Sequence, residues 1–448
     1  MFKRSTFYRT MGLLMVFSIL AFPLSGASTA PLPPPFPPSN PEATEGYILD
    51  PEFQISTALT PVDPDRNIPE MAYNSVNSQF LVVWHNSPIT GHYREVYGQR
   101  IGTNGQKIGS QIVISAGTND RKLPAVAYNP GNNEYMVVFM YDENGDGSKF
   151  AIRSRRINGA TGALVGSEVT IISIAGRSYH DPQIAWNSTW NEYLVVWTTL
   201  STATGFSLEI GGMSIDDDAS HLWDWVITNQ GVPSSPDITW DPVNHKYFVI
   251  WNFLNASGKL GIKGDLRDHA GNDIQPIDIY SSTTNHVLHP RISSSMGLFY
   301  MATFEYENTV TDHDIWVALI SSDATACVPA PYVTGTTHDV KPDIAGSSNK
   351  WEYMITYQRA SGFGADVLMR PFSNYMPDDD IELCNDPYSD CTDPVVFYGG
   401  WGYMNAYTVN VLVPTGPETN QPETPVTVNE VWGRRIHTFT LNFPIAIR

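Results

Sequence analysis

The chain has 448 residues, with 46 acidic against 26 basic side chains and a formal charge of −20. That surplus argues against nucleic acid and anionic lipid as partners, because both repel an acidic surface. Three cysteines are too few for a disulfide-built scaffold, and the length suits either two or three domains or one closed repeat array.

In chain order, residues 1–27 read as a secretory signal peptide. Lys3, Arg4 and Arg9 precede the apolar run Met11 to Phe22, and Ser25-Gly26-Ala27 supplies the small-residue cleavage site. Its removal would leave a charge of about −23, because residues 1–27 hold three basic and no acidic side chains. No later segment approaches the roughly 20 apolar residues of a membrane span, so the expectation is an exported protein, extracellular or periplasmic. Residues 28–45 form a Pro-rich linker, PLPPPFPPSNP from Pro31 to Pro41, since proline lacks the donor a strand ladder needs. Residues 46–448 are then one domain. Its first stretch, Tyr47 to Thr57, looks like an outer strand placed ahead of the first repeat.

The repeat is clearest at Leu123 to Phe139, LPAVAYNPGNNEYMVVF. Copies begin around Pro69, Pro124, Pro182, Pro236, Pro290, Pro342 and Pro394, at intervals of 55, 58, 54, 54, 52 and 52 residues. Each unit reads as four short strands. In the first these are Pro69–Tyr73, Gln79–Trp84, Glu95–Ile101 and Gln111–Ser115, with Asn104-Gly105 marking the tight turn before the fourth. The second strand is apolar on both faces, as a strand packed between neighbouring sheets must be. Seven units of about 54 residues predict an all-β fold, a seven-bladed β-propeller of four-stranded antiparallel blades. Glu430 to Ile436, EVWGRRI, nearly repeats EVYGQRI from Glu95 to Ile101, so the last blade ends at the C-terminus behind a Pro-rich insertion between Tyr407 and Glu430. Either Phe53–Thr57 or Phe443–Ile447 can supply that blade's outermost strand.

The pattern of a proline, an Ala-aromatic-Asn triplet, Y-L-V-V-W and then V-[YW]-G-x-R-I resembles the propeller-type repeats of secreted bacterial surface and adhesin-like proteins, from roughly Pro51 to Arg448. The resemblance implies an architecture more than an activity. The Trp-Asp signature of WD40 blades, the paired glycines of kelch blades and the S-x-D-x-G-x-T-W box of sialidases are not found.

Three sets of residues stand out chemically. Residues just before the anchoring prolines should converge at the channel mouth, and Arg66, Arg121, His180, Asp181, His289, His338, Asp339 and Asp393 are the candidate ligand-binding groups there, with strand-end and turn satisfaction as the alternative role. Asp142, Asn144 and Asp146 place three oxygens at alternate positions with glycines between, a pattern that could hold calcium although the remaining ligands of an EF-hand are missing. Cys384 and Cys391 either close the loop CNDPYSDC as a disulfide, which export favours, or stay small buried thiols; Cys327 is left over. Asp216–Asp218 and Asp378–Asp380 read as solvated turns, Asn187-Ser-Thr and Asn255-Ala-Ser as glycosylation acceptors, and Trp190, Trp223, Trp225 and Trp401 as exposed contacts outside the repeat. The aromatics at Trp84, Phe139, Trp197, Trp251, Phe304, Tyr357 and Tyr407 read as inter-blade core. The expected function is a monomeric, non-catalytic module that binds an extracellular glycan or protein. The alternative is a glycoside hydrolase or lyase with carboxylates at the channel mouth.

Overall fold

The computed structural model describes residues 44–56, 68–87, 93–201, 207–361, 364–373, 380–384, 389–413 and 426–441. The signal peptide, most of the Pro-rich linker, Arg66, Asp378, Asp379, the centre of the last insertion and Phe443–Ile447 lie outside these residues. Among the described residues every regular element is a strand, and the strands form seven antiparallel sheets. The protein is a seven-bladed β-propeller.

Each blade runs outward in chain order. The first strands are Glu70–Asn74, Arg121–Asn129, Arg177–Asn187, Ser234–Asp241, Val287–Ser295, Asp339–Gly346 and Asp390–Tyr398. They lie against one another around the axis, the last beside the first. The second strand carries the apolar load: all eight residues of Gln79–Asn86 are buried, because both faces of the strand meet a neighbouring blade. The seven repeated aromatics from Trp84 to Tyr407 are at most 5% exposed, and seven apolar clusters fill the seven spaces between blades.

The asparagine of the repeat closes strand one. In blade two the Asn129 side-chain oxygen accepts from Gly131 N at 2.8 Å, and Asn133 ends the turn at a φ of 52°, the left-handed region Asn tolerates. Asn74, Asn187 and Asp241 do the same work in their blades. These side chains also bind the blades together: the Tyr300 hydroxyl donates to Asp241 of the preceding blade at 3.1 Å, and Asn74 donates to Asn133 of the next at 3.0 Å.

The two chain ends meet in blade seven. Thr44–Leu49 pairs with Ile436 to Leu441, and Phe53–Gln54 pairs with Trp432 and Gly433, so the N-terminal segment supplies the outer strands. A ring closed by strands from both ends leaves no edge on Val426–Leu441 opposite its pairing with Gly402–Val413 where those strands lie.

Candidate functional site

The anchoring prolines sit in a repeated bulge. In blades two to seven the pairing of strand one with strand two skips at the X-Pro dipeptide, as between Lys122 and Ala125 and between Leu288 and Arg291. The residue before the proline is left-handed in all six: Leu123, Asp181, Ser235, His289, Lys341 and Asp393 have φ between 48° and 52°. Proline suits the unpaired position because it has no N–H to leave unsatisfied. The X residue's own N–H is taken by the preceding blade in two cases, Leu123 by His85 Nδ1 at 3.4 Å and Lys341 by Glu305 Oε1 at 2.6 Å. Without the skip the residue after the proline would continue the ordinary alternation; with it, that residue reaches the channel.

Asp237, Arg291 and Asp343 are three such residues, and with Glu70, which follows Pro69 in the first blade where the pairing runs without a skip, they form a charge cluster in the channel. Arg291 lies 3.4 Å from Glu70, 4.0 Å from Asp237 and 3.8 Å from Asp343, so three carboxylates from blades one, four and six surround one guanidinium from blade five. Two are also tied to the frame. Asp237 accepts from Ile292 N and Asp343 from Val396 N, each at 2.7 Å and each across a blade boundary. One cation cannot neutralise three anions that have lost most of their contact with water. Burial therefore pushes the Glu70 carboxyl up to about 8 and Asp343 to about 6, against the pull of Arg291 and helped by the neighbouring acids, and raises Asp237 as well. Burial opposes the charge of Arg291, but Glu70, Asp237 and Asp343 outweigh it and hold its pKa above the ordinary value.

Above the cluster the channel opens as a funnel of about 300 Å³. Its collar is built from the rings of Pro124, Pro182, Pro236, Pro290, Pro342 and Pro394, and the bulged residues Asp181, His289, Lys341 and Asp393 stand between them. Donors and acceptors share the rim. Lys341 pairs with one oxygen of Asp393, whose other oxygen, on a residue only 4% exposed, has no hydrogen-bond partner. His289 Nδ1 lies 2.7 Å from Glu305, and His313 Nδ1 lies 3.0 Å from the other Glu305 oxygen. Burial alone would raise Glu305, but the two imidazoles and the Lys341 amide overcome it and hold the carboxyl down to about 2. The same bond raises His313. Asp181 is pushed up by burial.

Of the residues singled out from sequence, Asp181, His289 and Asp393 meet at this mouth, and His180 lines an adjoining cavity. Arg121 is buried, donating to Ser115 Oγ at 2.6 Å and to the carbonyls of Thr118 and Asn119, so it holds its own loop. Asp339 is fully buried in a two-bonded pair with Arg359, and His338 packs edge-on against His313. Arg66 lies outside the described residues. Glu70, Asp237, Arg291, Asp343, Lys341 and Glu305 went unnoticed; the signal available for four of them was the variation between copies at the position after the proline.

The proposed calcium ligands are spent on their own turn. Asp142 accepts from the amides of Asn144, Gly145 and Gly147, Asn144 Nδ2 donates to Ser148 Oγ, and Asp146 accepts from Ser148 N. Among the described residues no group of three or more His, Cys, Asp or Glu side chains is arranged to hold a metal. Cys384 and Cys391 are bonded to each other, with Cα atoms 6.1 Å apart. Asn187 is fully buried, which removes it as a glycan acceptor, and Asp380 is not a solvated turn residue but is clamped by Arg359 and Arg370. Trp190 and Trp223 are exposed, whereas Trp225 and Trp401 are half-buried, Trp401 lying edge-on to Phe80.

No family model and no curated protein matches the chain. Solved structures do match it in fold. A puromycin hydrolase superposes with a TM-score of 0.50 at 9% identity, over 78% of this chain and 50% of that one. A protein of unknown function from Dyadobacter fermentans gives 0.48 at 8% identity, over 88% and 99%. The β-propeller domain of the Trilobed protease from Pyrococcus furiosus gives 0.45 at 9% identity, over 81% and 94%. At these identities the likeness is one of fold alone.

Proposed function

We propose that this propeller is an exported binding module whose channel mouth takes a hydroxyl-rich ligand, a glycan residue, without chemical turnover. The observation that carries the reading is the place of Arg291. Its guanidinium is within 4.0 Å of each of the three channel carboxylates, in the space where a hydrolase working with those acids would put the bond to be cut. The acids thus serve the arginine. Around it the funnel offers Lys341 and His289 as donors and Asp181 and Asp393 as acceptors, set between apolar proline rings. A sugar hydroxyl both donates and accepts, so it suits a rim that carries both kinds of group, whereas a strongly anionic ligand would meet several carboxylates.

The test is a glycan array followed by titration calorimetry of the sugars it selects, on the native chain and on Asp393→Asn and His289→Ala. Each variant should weaken binding by about tenfold, the value of one hydrogen bond to a charged group. Unchanged affinity in both, or silence across the array, would sink the reading. A second reading, glycoside hydrolysis, is favoured by one observation: Glu70 and Asp343 both lie against Arg291 in the channel, and burial raises the Glu70 carboxyl, the direction a general acid requires. Release of nitrophenol from aryl glycosides, abolished in Glu70→Gln, would establish it in place of the first.

A further inference from the structure

The mouth has a side chamber. A cavity of about 510 Å³ opens between blades one, two and three and shares Ile68, Leu123 and Asp181 with the funnel. Its walls are mainly apolar, set by Met140, Phe150, Leu200 and Leu208. Polar groups of His85, Lys122, His180, Asp181 and Thr198 interrupt them. Thr198 is 4% exposed and its hydroxyl has no hydrogen-bond partner; His180, whose ring meets Phe150 edge-on at 5.5 Å between centroids, has a buried Nε2 that is likewise unpartnered. Burial lowers the pKa of this histidine, so near neutral pH the imidazole is uncharged and offers one donor and one acceptor. Buried polar atoms without partners are uncommon and costly, and in a cavity wall they mark where a ligand's polar atoms go.

A purely aliphatic occupant would leave both atoms unsatisfied, and a bare sugar would put hydroxyls against Met140 and Phe150. A secondary amide carrying an alkyl tail meets both demands: its N–H and C=O answer the imidazole and the hydroxyl, and its tail fills the apolar part. Because the chamber is continuous with the funnel, the amide must hang from whatever the funnel holds. We infer that the side chamber is a subsite for the acyl group of an N-acylated amino sugar, with His180 and Thr198 recognising the amide and Met140, Phe150 and Leu208 the acyl chain. The inference rests on the funnel taking a sugar.

Three probes separate the two claims when titrated into the whole protein: glucose, N-acetylglucosamine and N-butyrylglucosamine. Affinity should rise from the first to the second and again by about fourfold per added methylene to the third, the gain expected for burying each CH₂. Thr198→Val, which replaces an unpaired hydroxyl by a methyl of the same shape, should cut the preference for the acetylated sugar over glucose by about tenfold while keeping the gain from acetyl to butyryl. Leu208→Trp, which fills the chamber, should erase both differences. If glucose and its N-acyl derivatives bind equally, the side-chamber assignment is wrong and the funnel reading stands. If none of the three binds, the subsite assignment falls, while the funnel reading stands or falls with the glycan array.

Discussion

Two glutamates show how strongly position sets the chemistry of one residue type in this channel. Glu70 has only a long contact to Arg291 and two like-charged neighbours; Glu305 is held by two imidazoles and an amide. Their linkage to folding has opposite signs. Glu70 binds its proton more tightly folded than unfolded, so its contribution is fully present below about pH 4.5 and is lost as pH rises to about 8. In urea melts across that window, Glu70→Gln should therefore gain on the native chain as pH rises. The gap should reach about 2 kcal/mol, a value kept low because the side chain is about a fifth exposed to channel water. Glu305 works the other way: its stabilisation is complete above about pH 4.5 and disappears as pH falls to about 2. Glu305→Gln should cost about 3 kcal/mol at neutral pH and flatten the acid limb of the stability curve. A variant whose profile stayed parallel to the native one at acid pH would show that the two histidine bonds carry no net energy.

At the scale of the element, the bulged X-Pro step is the part that makes a site out of a scaffold strand. Five different residue types hold a left-handed φ there, and a side chain in that region costs about 1–2 kcal/mol relative to glycine's freedom. Ser235, small and only partly buried, isolates this effect. Ser235→Gly should be neutral or stabilising by up to about 1 kcal/mol, once glycine's extra unfolded-state entropy is set against the relieved strain. Ser235→Val, with a β-branched side chain, should destabilise by at least about 1 kcal/mol. Thermal melts of the pair check it, and equal midpoints would mean the backbone there is not strained. The same step explains what could and could not be read from the chain. Blade number, strand order and the buried aromatics were legible because period and patterning are local signals, and Asp181, His289 and Asp393 were legible because they precede the prolines. Asp237, Arg291 and Asp343 were not, because ordinary strand alternation gives no hint that pairing slips by a residue at their prolines, and Glu70 was not, because its role depends on theirs. The Asp142 loop shows a related ambiguity: its spacing of oxygens is that of a cation loop, and the same oxygens are what a tight turn needs for its own amides.

The whole molecule is a ring closed by its own two ends, so its stability is not the sum of seven independent blades. Thr44–Leu49 and Phe53–Gln54 lie against the strand Val426–Leu441, and Ser56 Oγ accepts from Val431 N at 3.0 Å, 375 residues away in the chain. A chain begun at Ala58 should lose this seam. It should melt several degrees lower and associate through the uncovered edge of blade seven. Differential scanning calorimetry with light scattering would show it, and an unshifted, monodisperse protein would mean that the inter-blade aromatics alone hold the ring.

The channel charges carry a further meaning for assembly. Arg291 comes from blade five, and its counter-charges come from blades one, four and six, so the guanidinium finds all its partners only when the complete ring has formed around the axis. A ring that closed without one of these four blades would leave a cation or a set of carboxylates at the axis without its partners. The cluster thus ties blades one, four, five and six to a common point on the axis, a constraint that the interchangeable apolar contacts between blades do not supply.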